Sequence, residues 1–179
     1  MVYVFLADGF EEIEALGTVD ILRRCELNVS TVSITDTLTV KGAHGISVNA
    51  DILFEDVRDY EVDALVLPGG LPGADNLENC EKLIKLLKEQ ANEGKILAAI
   101  CAAPKVFGVH GLISGIKATC YPGFEAKLVG AITKKKDVVK DRNFITAKGA
   151  GVTHVFAEAI ADALGKGSVC RRAIKNMFY

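Results

Sequence analysis

A thiol and a run of carboxylates are the groups in this chain whose types and spacing can do chemistry. Cys101 lies in Gly94-Lys-Ile-Leu-Ala-Ala-Ile-Cys-Ala-Ala-Pro-Lys-Val-Phe-Gly108. A short apolar segment, Ile96 to Ile100, leads into it, and Ala102 to Val109 reads as a helix directly after it. Strand, cysteine and helix with almost no loop between them is the layout of a nucleophile elbow. The backbone at such a bend is held under strain, and the side chain is pushed out above the carboxyl edge of a sheet. At a helix N-terminus, unpaired amides and the helix dipole favour thiolate over thiol. A buried cysteine acting as a small hydrophobe is the competing reading.

Two other features converge on the same edge. Glu11, Glu12 and Glu14 crowd the first turn of a helix that follows the first strand. They suit the helix dipole there, but a carboxylate so placed also faces whatever sits on the sheet edge. Beside a thiol, an ionised carboxyl raises the thiol pKa, whereas a protonated one donates a hydrogen bond to the thiolate. Glu14 is therefore expected to be neutral at rest and to shuttle a proton during chemistry on a carbonyl. Pro68-Gly69-Gly70 ends another buried run, and its glycines let backbone amides approach a ligand closely. The amides of Gly70 and Ala102 can hold an oxyanion, although the same glycines also serve plain turn chemistry.

The residue after Cys101 is Ala102, so no histidine base adjoins the thiol. His44 lies at the tip of an expected hairpin, and His110 and His154 fall in helical runs, so a Cys-His-acid triad finds weak support. The five cysteines show no CxxC pair or regular framework, so neither a metal site nor a disulfide scaffold is expected. Lys148-Gly149-Ala150-Gly151 is a Gly-rich turn opening a helix, without the full dinucleotide fingerprint, and no cofactor is expected.

The elements that must position these groups alternate. Val2 to Ala7, Val29 to Thr35, Asp63 to Leu67 and Ile96 to Ile100 read as buried strands. Glu11 to Cys25, Leu77 to Asn92, Val152 to Leu164 and Val169 to Met177 read as helices. Leu38 to Val40 and Ile46 to Val48 flank a hairpin. Lys117 to Cys120 is a short strand, Phe124 to Val129 holds one or two helical turns, and Val138-Val139 with Phe144 to Thr146 forms an antiparallel or edge pair. Such alternation implies a parallel α/β sheet covered on both faces, with sites beyond the carboxyl ends of its strands.

At 179 residues the chain fits a single domain, residues 1–179. A formal net charge of -2 gives no nucleic-acid surface, and Lys134-Lys135-Lys136 reads as a solvated turn. No apolar run approaches the roughly 20 residues of a membrane span, and the N-terminus shows no signal pattern. These features lead us to expect a cytoplasmic protein with reduced thiols.

The chain resembles the ThiJ/PfpI superfamily (class I glutamine amidotransferase-like), and within it the branch of the human parkinsonism-associated deglycase and its bacterial relatives. The resemblance runs over nearly the whole chain. It is carried by Phe5-Leu-Ala-Asp-Gly-Phe-Glu-Glu-Ile-Glu-Ala15, Val19-Asp-Ile-Leu-Arg-Arg24, Val66-Leu-Pro-Gly-Gly70, Ala98-Ala-Ile-Cys-Ala-Ala-Pro104 and Ala147-Lys-Gly-Ala-Gly151. It implies a flavodoxin-like parallel sheet sandwiched between helices, assembled as a homodimer. By similarity, Cys101 matches the reactive, easily oxidised cysteine and Glu14 its protonated partner, with Gly70 and Ala102 supplying the amides. Tyr121, His44 and Gly69 are the further candidates for substrate contact. The human relative has a histidine where this chain has Tyr121, and His44 replaces an arginine.

The function this implies is cysteine-dependent chemistry on reactive dicarbonyls or early glycation adducts, of the glutathione-independent glyoxalase or deglycase type. An oxidation-regulated, redox-sensing chaperone with little catalysis is the alternative, needing the same thiol and an oxidant instead of a small carbonyl substrate. Proteolysis ranks lower, because the protease branch carries a histidine where this chain has Ala102; thiamine-precursor metabolism, tied to older names of relatives, ranks with it.

Overall fold

In the computed structural model, which describes residues 1–179, the N-terminal apolar run forms a fully buried strand, β1 (Val2–Leu6). Helix α1 (Glu12–Arg24) follows; the Glu11 side chain caps it by accepting the Glu14 amide. Next come β2 (Val29–Ser33), the hairpin strands β3 (Thr39–Lys41) and β4 (Ser47–Asn49), and β5 (Ile52–Leu53). The chain continues through β6 (Ala64–Leu67), α2 (Gly73–Glu78), α3 (Glu81–Asn92), β7 (Ile96–Ile100) and α4 (Pro104–Val109). After the short β8 (Lys117–Ala118) and β9 (Ile132–Thr133), the antiparallel β10 (Val138–Asp141) and β11 (Phe144–Ala147) lead into α5 (Thr153–Ala163) and α6 (Gly167–Asn176).

Seven strands form the central sheet in the order β10-β11-β7-β6-β1-β2-β5, and β10–β11 is its one antiparallel pair. Alternate strand residues feed opposite faces. Val2, Val4 and Leu6 pack with Ala15, Leu22, Phe156, Ile160 and Cys170 of α1, α5 and α6. Tyr3, Phe5, Leu65 and Leu97 pack with Leu83, Leu87, Val106 and Phe107 of α3 and α4. Helices thus cover both faces, which is the sandwiched parallel sheet expected. Strand order reverses between β1 and β6: β2 lies beyond β1 on one side, and β7 beyond β6 on the other. Open α/β sheets bind ligands in the crevice at that reversal.

Three local expectations need correction. The helix expected over Leu77 to Asn92 is two helices, because the Asn79 side chain donates to the Asp75 carbonyl at 2.8 Å and closes α2, while Cys80 is extended. The helix after the thiol begins at Pro104 rather than Ala102, since the Ala103 amide first bonds back to the Ile100 carbonyl in a tight turn. Of Lys117 to Cys120 only the first two residues form a ladder; the Thr119 amide instead meets the Thr146 hydroxyl at 2.9 Å. The pair expected from Val138-Val139 and Phe144 to Thr146 is antiparallel, with β10 at the sheet edge and β11 hydrogen-bonded on its other side to β7.

Candidate active site

Cys101 follows β7 with a backbone φ of +64°, a left-handed conformation that costs a non-glycine residue about 1–3 kcal/mol. Two hydrogen bonds hold it there. Its amide donates to the Ala147 carbonyl at 2.9 Å, and its carbonyl accepts the Tyr121 amide at 2.8 Å. The strained elbow expected from the sequence is thus present, pinned between the end of β11 and the segment after β8.

Glu14 is buried in the first turn of α1, and its Oε2 accepts the Gly69 amide at 2.8 Å. The Cys101 side chain and the Ala150 amide also bear on this carboxyl, yet Oε1 is buried with no fully formed hydrogen bond. Gly69 is the spacer between the two functional groups. A Cβ built there would lie 2.7 Å from both Cys101 Cβ and Glu14 Oε2. Its neighbour Gly70, at φ +88°, packs against the backbone of Gly9 and Phe10, where no side chain fits. The amides of Gly70 and Ala102 favour charge on the thiol.

Burial pushes the Glu14 carboxyl up to about 7, against the lowering pull of Cys101 and the Gly69 amide. Burial, and then the charge of Glu14, push the Cys101 thiol up to about 12, although the Ala102 and Gly70 amides oppose this. A thiol lowered by a helix N-terminus is therefore not what the structure provides. The helix starts three residues later and is only six residues long, so desolvation dominates. The two groups titrate as a pair. One proton leaves near neutrality, and the second only in strong alkali.

Tyr121 sits beside the thiol. A Cβ built on Gly149 would lie 3.4 Å from the Tyr121 ring and 3.9 Å from Cys101 Sγ, so ring and sulfur flank this glycine together. His44 has another partner. Its exposed ring places Nδ1 2.7 Å from Oε2 of the buried Glu12, whose Oε1 accepts the His44 amide at 2.7 Å. The other histidines are also occupied elsewhere: His110 Nε2 lies 2.9 Å from the Glu78 carbonyl, and the His154 ring stacks on Tyr179 at 4.5 Å. Gly149 and Ala150 are the site neighbours that sequence reasoning passed over. Their Gly-rich turn was visible, but placing it required knowing that β11 lies next to β7.

A family model described as the DJ-1/PfpI family matches residues 1–163. The chain belongs to that family. It is 40% identical over 165 residues to Protein DJ-1 homolog B of Arabidopsis thaliana, a match covering 91% of this chain but only 38% of that protein. The chain therefore spans well under half of that plant protein's length. A second relative, the glutathione-independent glyoxalase DJR-1.2 of Caenorhabditis elegans, is 36% identical over 157 residues, covering 86% of this chain and 82% of that protein. Among solved structures, oxidized Toxoplasma gondii DJ-1 superposes with a TM-score of 0.94 at 33% identity, covering 99% of this chain and 97% of that one. Within the DJ-1/PfpI family, then, the flavodoxin-like sheet and its surrounding helices are shared with proteins that resemble this chain over nearly its full length.

Proposed function

We propose that the protein is a cysteine-dependent enzyme that converts reactive dicarbonyls, and related early glycation adducts, without glutathione. The observation that carries this reading is the buried Glu14 carboxyl, held by the Gly69 amide and sharing a titration with Cys101. The kinship with a protein named as a glutathione-independent glyoxalase supports it. After one proton has left the pair, the reactive arrangement keeps the other on Glu14 and the charge on sulfur, which the Gly70 and Ala102 amides favour.

With methylglyoxal, Sγ adds to the aldehyde carbon, and Glu14 protonates the new alkoxide to give a hemithioacetal. The Glu14 carboxylate then removes the hydrogen of that carbon. Through an enediol it returns this proton to the neighbouring carbon, while the hydroxyl proton moves to the adjacent oxygen. The product is a thioester of lactate, which water cleaves to free the thiol. No electrons leave the system, and one water is consumed. Lactate formation in wild type, with loss in Cys101→Ser and Glu14→Gln, is the expected result; turnover surviving in Cys101→Ser would sink the mechanism.

A redox role is the second reading, favoured by the half-buried exposure of Cys101 and by a relative whose structure is described as oxidized. Two molecules of hydrogen peroxide would convert the thiolate to sulfinate and release two waters, and a neutral Glu14 would donate to a sulfinate oxygen. A two-oxygen adduct on Cys101 without any thiol-dependent turnover would favour this reading over the enzyme.

We also propose a homodimer. Ile13 of α1 is 60% exposed and Ile46 of the hairpin 55% exposed, and the Ile46 amide reaches Glu12, the residue beside Ile13. This apolar patch supports the assembly, and light scattering should return twice the 19.1 kDa chain mass.

A further inference from the structure

Behind the segment that holds the Cys101 carbonyl lies a cavity of ≈ 370 Å³, at the lower end of the range for small-molecule sites. Its buried floor is Thr119, Cys120 and Leu128. Its rim carries Thr133, Lys134, Lys135 and Lys148, with Glu125 as the one acidic residue lining it. Lys148 is held 3.0 Å from Asp137 Oδ1, whereas Lys134 and Lys135 form no ion pair with any carboxylate of the chain. Glu125 is itself engaged, accepting the Gly123 amide at 2.8 Å. On a chain of net charge -2, this is a pocket with a surplus of ammonium groups.

The cavity is joined to the Cys101 site through the backbone. Tyr121 stands between two of its lining residues, Cys120 and Pro122, and its amide binds the Cys101 carbonyl. Lys148 immediately precedes Gly149, the glycine flanked by the Tyr121 ring and Cys101 Sγ. A substrate whose carbonyl end sits at the thiol would have to extend past Tyr121, which does not itself line the cavity, to place its other end among the lysines. Burial pushes the Cys120 thiol up to about 11, with Glu125 adding to the effect, so the floor is uncharged at neutral pH and does not repel an anion.

We propose that this cavity is an anion subsite, and that it selects carbonyl compounds whose far end carries a carboxylate or a phosphate. The proposal rests on the dicarbonyl reading above and names its substrate class. Lysines act as flexible point charges toward such groups, and the Thr133 and Thr119 hydroxyls can add donors.

Two measurements on the intact protein test it. In the first, inorganic phosphate and acetate are titrated by NMR at constant ionic strength. Saturable shifts of the Thr119, Cys120, Lys134, Lys135 and Lys148 amides are expected, with binding weakened roughly tenfold in Lys134→Gln/Lys135→Gln. Scattered or non-saturating shifts overturn the subsite. In the second, kcat/KM is compared for methylglyoxal and for longer 2-oxoaldehydes ending in a carboxylate or a phosphate. The double variant should raise KM for the charged substrates roughly tenfold and leave methylglyoxal within about twofold. Equal losses on neutral and charged substrates overturn the proposal, and the better charged substrate identifies the anion. If wild type shows no methylglyoxal turnover, the dicarbonyl reading fails on its own, and the titration still decides the subsite.

Discussion

Cys101 and Glu14 each resist ionisation because each is buried; the charge of Glu14 makes that of Cys101 more costly, whereas Cys101 eases the ionisation of Glu14. The coupled pair thus has one mobile proton near neutral pH, which is what a proton-shuttling addition to a carbonyl needs. Glu14→Gln should lower kcat/KM for methylglyoxal by roughly 100-fold or more with little change in KM, since it removes proton transfer and not binding. Steady-state lactate assays check this; a purely KM effect would place Glu14 in binding. Gly69→Ala makes a different prediction. Its Cβ would stand 2.7 Å from both Cys101 Cβ and Glu14 Oε2, so the pair must separate. About 1–3 kcal/mol of lost stability together with loss of turnover is expected from denaturant titration and assay. The thiol, the carboxyl and the Gly69-Gly70 loop could be picked out in the sequence because their motifs are local. The pKa of the thiol was not legible, because burial depends on groups far apart in the chain.

At the level of elements, the hairpin β3–β4 is fastened to α1 through Glu12 and His44. Burial opposes ionisation of Glu12, but the His44 ring and the His44 and Ile46 amides outweigh it and hold its carboxyl below the ordinary value. The hydrogen bond that the His44 ring donates to Glu12, and then the Glu12 charge, raise the His44 imidazole above 6.5. The fastening is thus complete between these two pKa values. It is lost as pH rises through that of His44, and lost again as pH falls through that of Glu12. NMR titration should show His44 ionising above 6.5 in wild type and returning toward that value in Glu12→Gln; an unchanged midpoint would contradict the fastening. The sequence placed His44 at a hairpin tip as a candidate substrate contact. Its real partner was hidden because Glu12 read only as a helix-dipole residue. Likewise, α2 and α3 merged into one amphipathic run, since the side-chain bond from Asn79 that divides them leaves no mark on the hydrophobic pattern.

For the whole molecule, sheet order matters most. The strand–helix alternation was enough to read a parallel sheet covered on both faces, but not its edges. The two-residue β5 lacks any pattern, and the antiparallel β10–β11 pair was legible without the neighbour of β11, which is β7. That placement brings Gly149 and Ala150 to the thiol and opens the lysine-rimmed cavity behind the segment that holds the Cys101 carbonyl. The buried carboxyl also leaves a global signature. With the Glu14 pKa raised from 4.5 to about 7, the folded protein keeps a proton that the unfolded chain has released across that window. Its contribution to stability is complete below about 4.5 and falls as pH rises to about 7, by on the order of 2–3 kcal/mol. Denaturant midpoints for wild type and Glu14→Gln between those pH values should diverge accordingly, with the variant gaining relative to wild type as pH rises.

The central claim is that, once one proton has left, Cys101 and Glu14 share the other, so that the form with the charge on sulfur and the proton on Glu14 is reached near neutral pH. The rate of Cys101 alkylation as a function of pH, followed by mass spectrometry of its peptide, tests this most directly. In wild type the rate should climb with a midpoint near 7, and Glu14→Gln should move that midpoint upward, because an amide is a weaker donor to the thiolate. A wild-type midpoint above 9, the ordinary thiol value, or one unmoved by Glu14→Gln, would show an isolated buried thiol and contradict the account.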